Sequence, residues 1–184
     1  MFVVQHLERG STISYQGRTI DLQPPWPRMT VSEAFVRYAD CSMVQALQSD
    51  RFDETIGLQI EPQLGLRRPV ILMDYPCQHG ALARTKPGQP DLVERFELYI
   101  GGLELCNAFS ELTDPAEQRR RFKQATALHF QTNKTAPPLP EPFLNDLKSM
   151  PDAAGNALGL DRLVMLLCDT PTIDDVVAFT PEAL

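Results

Sequence analysis

The alternation of apolar and polar residues beside a glycine pair constrains the fold of this chain more than any other feature of its sequence. Apolar and polar side chains alternate from Phe96 to Ile100, and a second mixed run begins at Leu103. Alternation with period two is typical of a β-strand, because successive side chains point to opposite faces. Gly101 and Gly102 separate the two runs and predict a bulge or a tight turn. The middle of the chain is therefore predicted to be β-structure.

Other segments carry local signals for strands and for a short helix. Residues 11–22 alternate around Gln16–Gly17 and predict a β-hairpin. Thr30 and Glu33 have the spacing of a capping box, which predicts that a short helix begins there. The continuous apolar run Val70–Met73 predicts a buried strand.

The clearest helix signal begins at Asp114. Asp114 is a predicted N-cap, Pro115 suits the first helical position, and Glu117 occupies the third. The basic run Arg119–Phe122 follows within the same helix. Because its neighbours are acidic, we expect this run to be a solvated helix face rather than an RNA-binding patch.

The overall charge argues against a broad surface for binding phosphates. The 184 residues carry a formal net charge of -7, and the sequence pI is about 4.9. Nucleic-acid-binding proteins gain most of their affinity from clustered Lys and Arg, which this composition does not favour. With 43% hydrophobic residues, the chain is long enough to bury one core, so a single domain is expected.

The cysteines and the apolar runs indicate a cytoplasmic protein. Cys41, Cys77, Cys106 and Cys168 lie far apart and form no C-x-x-C pair, so reduced thiols are expected rather than a zinc site. No run approaches the roughly 18 apolar residues that a membrane-spanning helix needs. Met1 is not followed by the basic and apolar segments of a signal peptide.

Two glutamates and an asparagine interrupt the apolar stretch that follows the glycine pair. Glu104 and Glu111 are seven residues apart, so they would share a face on a helix but oppose each other on a flat strand. A common site would require the chain to bend between them, near Asn107–Ala108. Two convergent carboxylates suit Mg²⁺ on a phosphate chain or an ammonium group. The alternative is a pair of solvated glutamates at the end of an exposed strand.

A second candidate segment is GNALGLDRL, residues 155–163. Gly155 and Gly159 flank Ala157, and Arg162 follows at the start of an apolar helix. Glycine within a strand is tolerated where a ligand or another backbone comes close. A guanidinium can pair with a phosphate or stack on a base, and it stays charged when desolvated. The alternative is a glycine-rich turn into a core helix that carries a surface arginine.

Taken together, the two segments resemble a known family. Residues 95–122 and 150–167 resemble the C-terminal part of the catalytic domain of class II lysyl-tRNA synthetases. Within that group the chain looks most like the elongation factor P lysine ligases, which lack an anticodon-binding domain. The segments QGRTIDLQPPWPRMTVSEAFVRYA, DYPCQHGALARTKPG and VVAFTPE extend the resemblance to nearly the whole chain.

The resemblance implies an α+β fold in which an antiparallel β-sheet is flanked by helices. ATP and an amino acid would bind on the sheet face of a single, partial class II synthetase-like catalytic domain covering residues 1–184. Motif 1 and motif 2 of the family are missing, so the chain is expected to be truncated. It would be a fragment of a longer protein, a truncated gene product, or one half of an enzyme completed by another polypeptide.

For the nucleotide, the resemblance implies roles at four positions. Glu104 and the backbone of Leu105 would lie at the ATP and Mg²⁺ position. Gly159 would lie under the adenine, and Arg162 would contact the nucleotide as the catalytic residue. Glu104 and Glu111 are the implied ligands of the metal.

For the amino acid, the resemblance implies that Glu111 meets the side-chain ammonium of the substrate. Asn107 would help to hold the bound amino acid or the metal. Ala157 stands where the tRNA synthetases usually have glycine and the ligases have alanine, and its methyl group could favour β-lysine over lysine. Arg84 and Lys86 lie in a stretch that is near the active site in the ligases.

The implied function is ATP-dependent activation of lysine or β-lysine through an aminoacyl-adenylate, with transfer to elongation factor P. The alternatives are a fragment of a lysyl-tRNA synthetase and a non-catalytic paralogue that keeps a nucleotide or lysine pocket. Expected partners are the amino acid, elongation factor P, and either a second copy or a complementing N-terminal half. Neither tRNA nor a membrane is expected as a partner.

Overall fold

The computed structural model describes residues 2–7, 10–131 and 138–180, and the side chains of these residues except 128–131. The end of the VVAFTPE segment lies outside the described residues. The helices within them are α1 (Phe2–His6), α2 (Val31–Tyr38), α3 (Met43–Gln48), α4 (Phe52–Thr55), α5 (Pro115–Gln131), α6 (Glu141–Asp146) and α7 (Leu160–Cys168). A π-helical turn at Ile56–Ile60 continues α4.

The strands are β1 (Thr12–Tyr15), β2 (Arg18–Asp21), β3 (Arg28–Thr30), β4 (Val70–Pro76), β5 (Thr85–Lys86), β6 (Gln89–Ile100), β7 (Leu103–Ser110) and β8 (Ala154–Leu158). β1 and β2 form a separate antiparallel pair. The larger sheet has the order β3-β4-β6-β7-β8, with β5 also paired to β6. β3 runs parallel to β4, with Arg28 opposite Ile71 and Thr30 opposite Met73. The expected α+β fold, an antiparallel sheet flanked by helices, is confirmed.

The local signals of the sequence produce the elements that they predict, but the strand over Val70–Met73 is only partly buried, because Leu72 alone of these four residues is buried. In the β1–β2 hairpin, Thr12 lies opposite Asp21, and Gln16 and Gly17 take left-handed φ values of 48° and 73° at the turn. At α2, the Thr30 hydroxyl accepts a hydrogen bond from the Glu33 amide at 3.1 Å, and the Glu33 carboxylate accepts one from the Thr30 amide at 2.7 Å. The capping box is therefore complete.

The glycine pair forms the turn between β6 and β7. Gly101 and Gly102 have φ values of 63° and 83°, a region that side-chain-bearing residues rarely adopt. Their amides donate to the carbonyl oxygens of Gly65 and Leu64, each at 2.9 Å. Gly65 itself has a φ of 71°, and a Cβ there would overlap the backbone of Tyr99. The turn is therefore hydrogen-bonded to a third glycine, Gly65, where there is no space for a side chain.

The chain divides into two compact units. The first comprises Met1–Met73, Phe96–Asn107 and Asn156–Leu184, and the second comprises Asp74–Arg95 and Ala108–Gly155. The single-domain assignment therefore stays a prediction.

The core of the first unit forms around the β1–β2 hairpin and α7. Its buried side chains are Val4, Ile13, Tyr15, Ile20, Leu22, Ile100, Leu105 and Leu166. A second apolar contact joins α2 to α4, where the rings of Phe35 and Phe52 stack with centroids 5.4 Å apart. Burial of large apolar side chains stabilises such a unit by about 1.5–3 kcal/mol for each one.

The second unit is organised by α5. Asp114 caps the helix as predicted, since its carboxylate accepts hydrogen bonds from the amides of Ala116 at 2.8 Å and Glu117 at 3.3 Å. Arg119 forms two hydrogen bonds with the carboxylate of Glu141, at 2.5 and 2.6 Å, which joins α5 to α6. Leu144 on α6 is fully buried.

The prediction that the run Arg119–Phe122 is a solvated helix face is wrong for Arg121. Arg121 is only 6% exposed, whereas Arg120 beside it is exposed. The reason is helical geometry, because neighbouring positions on a helix point about 100° apart. The run therefore contributes one guanidinium to the interior and leaves another in solvent.

Both of these arginines contact the carboxylate of Glu117. Arg120 donates to its two oxygens at 2.6 and 2.7 Å, and Arg121 donates to one of them at 2.8 Å. These hydrogen bonds, first those from Arg120 and then that from Arg121, lower the pKa of Glu117 to about 2. The carboxylate stays ionised well into the acidic range.

We expect Glu117→Gln to lower the free energy of unfolding at neutral pH and to have no effect in strong acid. The pKa of Glu117 falls from an ordinary 4.5 to about 2 in the folded chain. Its stabilisation is therefore complete above about pH 5 and is lost as the pH falls through the folded pKa. Because the side chain is 26% exposed, solvent screening limits the difference to about 1 kcal/mol.

Urea unfolding at a series of pH values measures this difference. Glu54→Gln is the control, because Glu54 pairs with Arg51 at 3.7 Å on an exposed surface and should contribute little. A deficit of Glu117→Gln that stays constant down to pH 2 would contradict the assignment of the low pKa to Glu117.

Candidate functional site

The first unit brings together the four residues predicted to meet a nucleotide. Glu104 is the second residue of β7, and Arg162 lies in the first turn of α7. The Arg162 guanidinium donates to the Glu104 carbonyl oxygen at 2.9 Å and to its carboxylate at 3.2 Å. The Gly159 amide, at the N-cap of α7, donates to the Leu105 carbonyl oxygen at 2.8 Å. The start of α7 is therefore fixed against the start of β7.

This pair has the chemistry that a magnesium-bound nucleotide requires. The side chains of Arg162 and Glu104 are 45% and 28% exposed, so both can meet a ligand. A guanidinium pairs with phosphate oxygens, and a carboxylate is a ligand that Mg²⁺ prefers. The two groups form an ion pair with each other at 3.2 Å.

Gly159 is not required by packing within the protein. A Cβ at this position would lie 3.5 Å from Cδ of Arg162 and 3.6 Å from the Leu105 carbonyl oxygen, which are ordinary contacts. The backbone there also has a φ of -75°, which any residue adopts. The placement of an adenine against Gly159 stays a prediction.

The sequence did not predict a carboxylate cluster in the same unit. The Tyr99 hydroxyl lies 2.6 Å from the carboxylate of Glu97 and 3.1 Å from that of Glu61. A phenol has one proton, so it cannot donate to both carboxylates at once. Burial raises the pKa of Glu61, and the nearby charges of Glu97 and Glu104 raise it further, although the hydrogen bond from Tyr99 acts in the opposite direction. The alternation in β6 put Glu97 and Tyr99 on one face, but it did not show that this face is buried.

In the second unit, Glu111 directly follows the last residue of β7. Its backbone pairs with Ala83, and its amide donates to the Ala153 carbonyl oxygen at 2.9 Å. The neighbouring Leu112 amide donates to the Leu82 carbonyl oxygen, also at 2.9 Å. The half-buried Glu111 side chain therefore extends from a backbone that is held on both sides.

Gly155 leaves space for the Glu111 carboxylate. A Cβ at position 155 would overlap Oε1 of Glu111 and would lie 3.6 Å from its Cδ. The sequence predicted that this glycine admits a ligand or another backbone. The group that comes close is instead the carboxylate of Glu111, which is itself a predicted site residue.

The remaining predicted residues lie on neighbouring strands. Asn107 is half-buried on β7, in the first unit, and Ala157 is exposed on β8, also in the first unit. Ala108 lies within β7, which continues from Leu103 to Ser110, and its φ is not positive.

Arg84 and Lys86 have carboxylate partners in the second unit. The Arg84 guanidinium bonds Glu94 at 2.8 Å, and the Lys86 ammonium bonds Asp74 at 2.7 Å. A hydrogen bond from Ser110, and then the contact with Arg84, lower the pKa of Glu94. Both cations are therefore neutralised within the chain, and their predicted role in binding stays a prediction.

The described residues contain no cluster of three or more Asp, Glu, His or Cys side chains arranged to hold a metal ion. Glu104 lies in the first unit and Glu111 in the second. A magnesium ion shared by these two glutamates is still a prediction. Within the same residues, no helix is long and apolar enough to cross a membrane.

Comparison with known proteins identifies the family. The family model of class II tRNA synthetases (D, K and N) matches residues 2–183. The chain belongs to this family. It is 40% identical to a lysine–tRNA ligase of Moorella thermoacetica over 92% of its own length and 39% of that protein. It is 35% identical to a lysine–tRNA ligase of Chloroflexus aurantiacus, over 92% of the chain and 38% of the relative.

A lysine–tRNA ligase of Magnetococcus marinus is 34% identical over 96% of the chain and 40% of that protein. The chain thus spans about two fifths of the length of the curated relatives that it matches. The resemblance to class II lysyl-tRNA synthetases that the two segments carry is confirmed.

We expect Gly155→Ala to leave the chain folded and to displace the Glu111 carboxylate. The added methyl group would overlap the end of a flexible side chain, which can move more cheaply than backbone. Crystal structures of the variant and of Gly57→Ala measure the effect, because a Cβ at Gly57 would meet nothing within 4 Å. We expect Oε1 to move by about 1 Å or more in the first variant alone. An unmoved carboxylate would show that the strand yields instead.

Proposed function

We propose that this chain is part of an enzyme that activates lysine or β-lysine with ATP. The observation that carries the proposal is the Glu104–Arg162 pair at the start of α7. It puts a group that pairs with phosphate beside a group that binds Mg²⁺. Lysine is the favoured substrate because the relatives at 35–40% identity are lysine–tRNA ligases.

In the proposed reaction, a carboxylate oxygen of the amino acid attacks the α-phosphorus of ATP. A carboxyl–phosphate bond forms, the bond to the bridging oxygen breaks, and pyrophosphate leaves with the electron pair. Such a step needs positioning and charge neutralisation more than covalent help from the protein. We assign charge neutralisation to Arg162, adenine contact to Gly159, and nucleotide and metal contact to Glu104 and the backbone of Leu105. Bound Mg²⁺, held by Glu104, would neutralise further phosphate charge.

We assign recognition of the substrate to Glu111. A partly buried carboxylate pairs with the side-chain ammonium of lysine, and a neutral amino acid would leave it unpaired. Asn107 is assigned to hold the bound amino acid. The methyl group of Ala157 is assigned to the choice between lysine and β-lysine.

Two acceptors are compatible with this chemistry. Transfer to elongation factor P is supported by Ala157 and by the net charge of -7, which is unfavourable for a tRNA surface. Transfer to tRNA is the second candidate, because the relatives are lysine–tRNA ligases. We favour elongation factor P, with a second copy or a complementing N-terminal half as a further partner. The free thiols of Cys41, Cys77, Cys106 and Cys168 support a reducing, cytoplasmic location.

We expect different variants of the 184-residue chain to weaken lysine binding and ATP binding. Glu111→Gln should lose lysine affinity by about tenfold or more and keep ATP affinity, because it removes only the charge that meets the ammonium. Arg162→Met should do the reverse. Gly155→Ala should weaken lysine binding in the same direction as Glu111→Gln. Calorimetric titration with ATP–Mg²⁺, lysine and β-lysine measures both affinities, with Glu54→Gln as a matched surface control.

ATP–pyrophosphate exchange then tests for turnover. Exchange that depends on lysine or β-lysine and disappears in both variants supports an activating enzyme. Binding of both ligands without exchange would favour the non-catalytic paralogue or a half-enzyme. If the folded chain binds neither ligand, the proposed function is wrong.

The acceptor is tested separately with radiolabelled amino acid. Label transferred to purified elongation factor P and not to tRNA supports the favoured acceptor. Label transferred only to tRNA would replace it with the second candidate.

A further inference from the structure

Arg121 is a buried cation that neither candidate site uses directly. It lies on α5, and 6% of its surface is exposed. Besides Glu117, its guanidinium donates to the carbonyl oxygens of Gly80 and Ala83, each at 2.7 Å, and to the Thr85 hydroxyl at 2.8 Å. A single side chain thus holds three points of a segment about 36 to 41 residues earlier in the chain.

A second buried side chain on the same helix holds the same segment. Gln118 is 1% exposed, and its side-chain amide donates to the Ala81 carbonyl oxygen at 3.1 Å. Residues 80–85, which we call the clamp segment, therefore have three carbonyl oxygens and one hydroxyl bonded to α5. Because most of these acceptors belong to the backbone, α5 fixes the path of the segment and not only its side chains.

The clamp segment lies beside the backbone of Glu111 and is hydrogen-bonded to the residues on either side of it. The Arg84 amide donates to the Ser110 carbonyl oxygen at 2.7 Å, and the Leu112 amide donates to that of Leu82 at 2.9 Å. Ala83, whose carbonyl oxygen accepts from Arg121, pairs with Glu111 between these two hydrogen bonds. One residue thus connects the Arg121 guanidinium to the backbone of Glu111.

We propose that Arg121 is the positioning residue for the Glu111 carboxylate, acting through the clamp segment. This inference rests on the proposed role of Glu111 in binding the substrate ammonium. Arg121 does not touch the substrate. It sets where the carboxylate stands, and with it the affinity and the selectivity for an amino acid that carries a side-chain ammonium.

The geometry requires arginine rather than a generic cation. The four acceptors of Arg121 lie around one planar group, and a guanidinium offers five N–H donors in a fixed fork. The ammonium of lysine has three donors at a single point and cannot reach the same set. Removal of the cation would take this donor from the buried carbonyl oxygens of Gly80 and Ala83, which is unfavourable away from water.

The test compares three variants of the full 184-residue chain. Arg121→Lys keeps the charge and loses the fork, and Arg121→Met loses both. Arg120→Lys is the matched control, because Arg120 lies on the same helix and contacts the same Glu117, but its side chain is 53% exposed. Thermal unfolding shows which variants fold. If Arg121→Met does not fold, Arg121→Lys still tests the proposal.

The first readout is hydrogen exchange of the backbone amides of Arg84, Glu111 and Leu112, which needs no ligand. We expect exchange to quicken by about tenfold or more at these amides in Arg121→Lys and to stay unchanged in Arg120→Lys. The second readout is the affinity for lysine beside that for ATP. We expect lysine binding to weaken by about tenfold and ATP binding to change by less than about twofold.

The outcomes separate this inference from the proposed function. Unchanged exchange at the three amides, or unchanged lysine affinity in a folded Arg121→Lys, would overturn the inference alone. An equal loss of lysine and ATP affinity would also overturn it, because Arg121 would then only stabilise the fold. If the unmodified chain binds ATP but not lysine, the role of Glu111 is wrong and the positioning role is overturned with it.

Discussion

The turn at Gly101–Gly102 is the constraint on which the rest of the structure depends. It joins β6 to β7, and both candidate sites take a glutamate from β7 or the residue after it, Glu104 near its start and Glu111 beyond its end. Both glycines have left-handed φ values, and their amides are bonded to the backbone at Leu64 and Gly65. A side chain at either position would strain the backbone, so the register of β7, and hence the place of each glutamate, follows from two residues that carry no chemistry.

Arginine has opposite roles in the two units because its surroundings differ. Arg162 has 45% of its side chain exposed and one carboxylate partner, so a phosphate can compete for it in water. Arg121 has four partners and almost no contact with solvent. Withdrawing it would remove a donor from several buried acceptors at once, which is more costly than exchanging one partner at a surface. The first arrangement suits ligand binding and the second suits a fixed scaffold.

The sequence predicted features that depend on a few adjacent residues. Three such features were predicted correctly, because each is fixed by contacts within four or five positions: the hairpin at Gln16–Gly17, the capping box at Thr30 and the N-cap at Asp114. The family resemblance supplied the antiparallel sheet and the expectation that Glu104, Leu105, Gly159 and Arg162 lie at one site. Burial of Arg121 and the Glu61–Tyr99–Glu97 cluster were not predicted, since they join residues about 36 to 41 positions apart. No periodicity within one element reports which distant carbonyl oxygen a guanidinium will meet.

Glu111 shows why scaffold residues decide selectivity. The residues on either side of it, Ser110 and Leu112, are hydrogen-bonded to the clamp segment, and its own amide donates to Ala153. Its carboxylate extends into the space that Gly155 leaves open. A carboxylate that could swing freely would find water or another cation in many orientations, and it would distinguish poorly between an ammonium and a neutral group. Fixing the backbone removes most of that freedom before a ligand arrives. Selection for lysine would then depend as much on the arginine and the glycine that hold the carboxylate in place as on its charge.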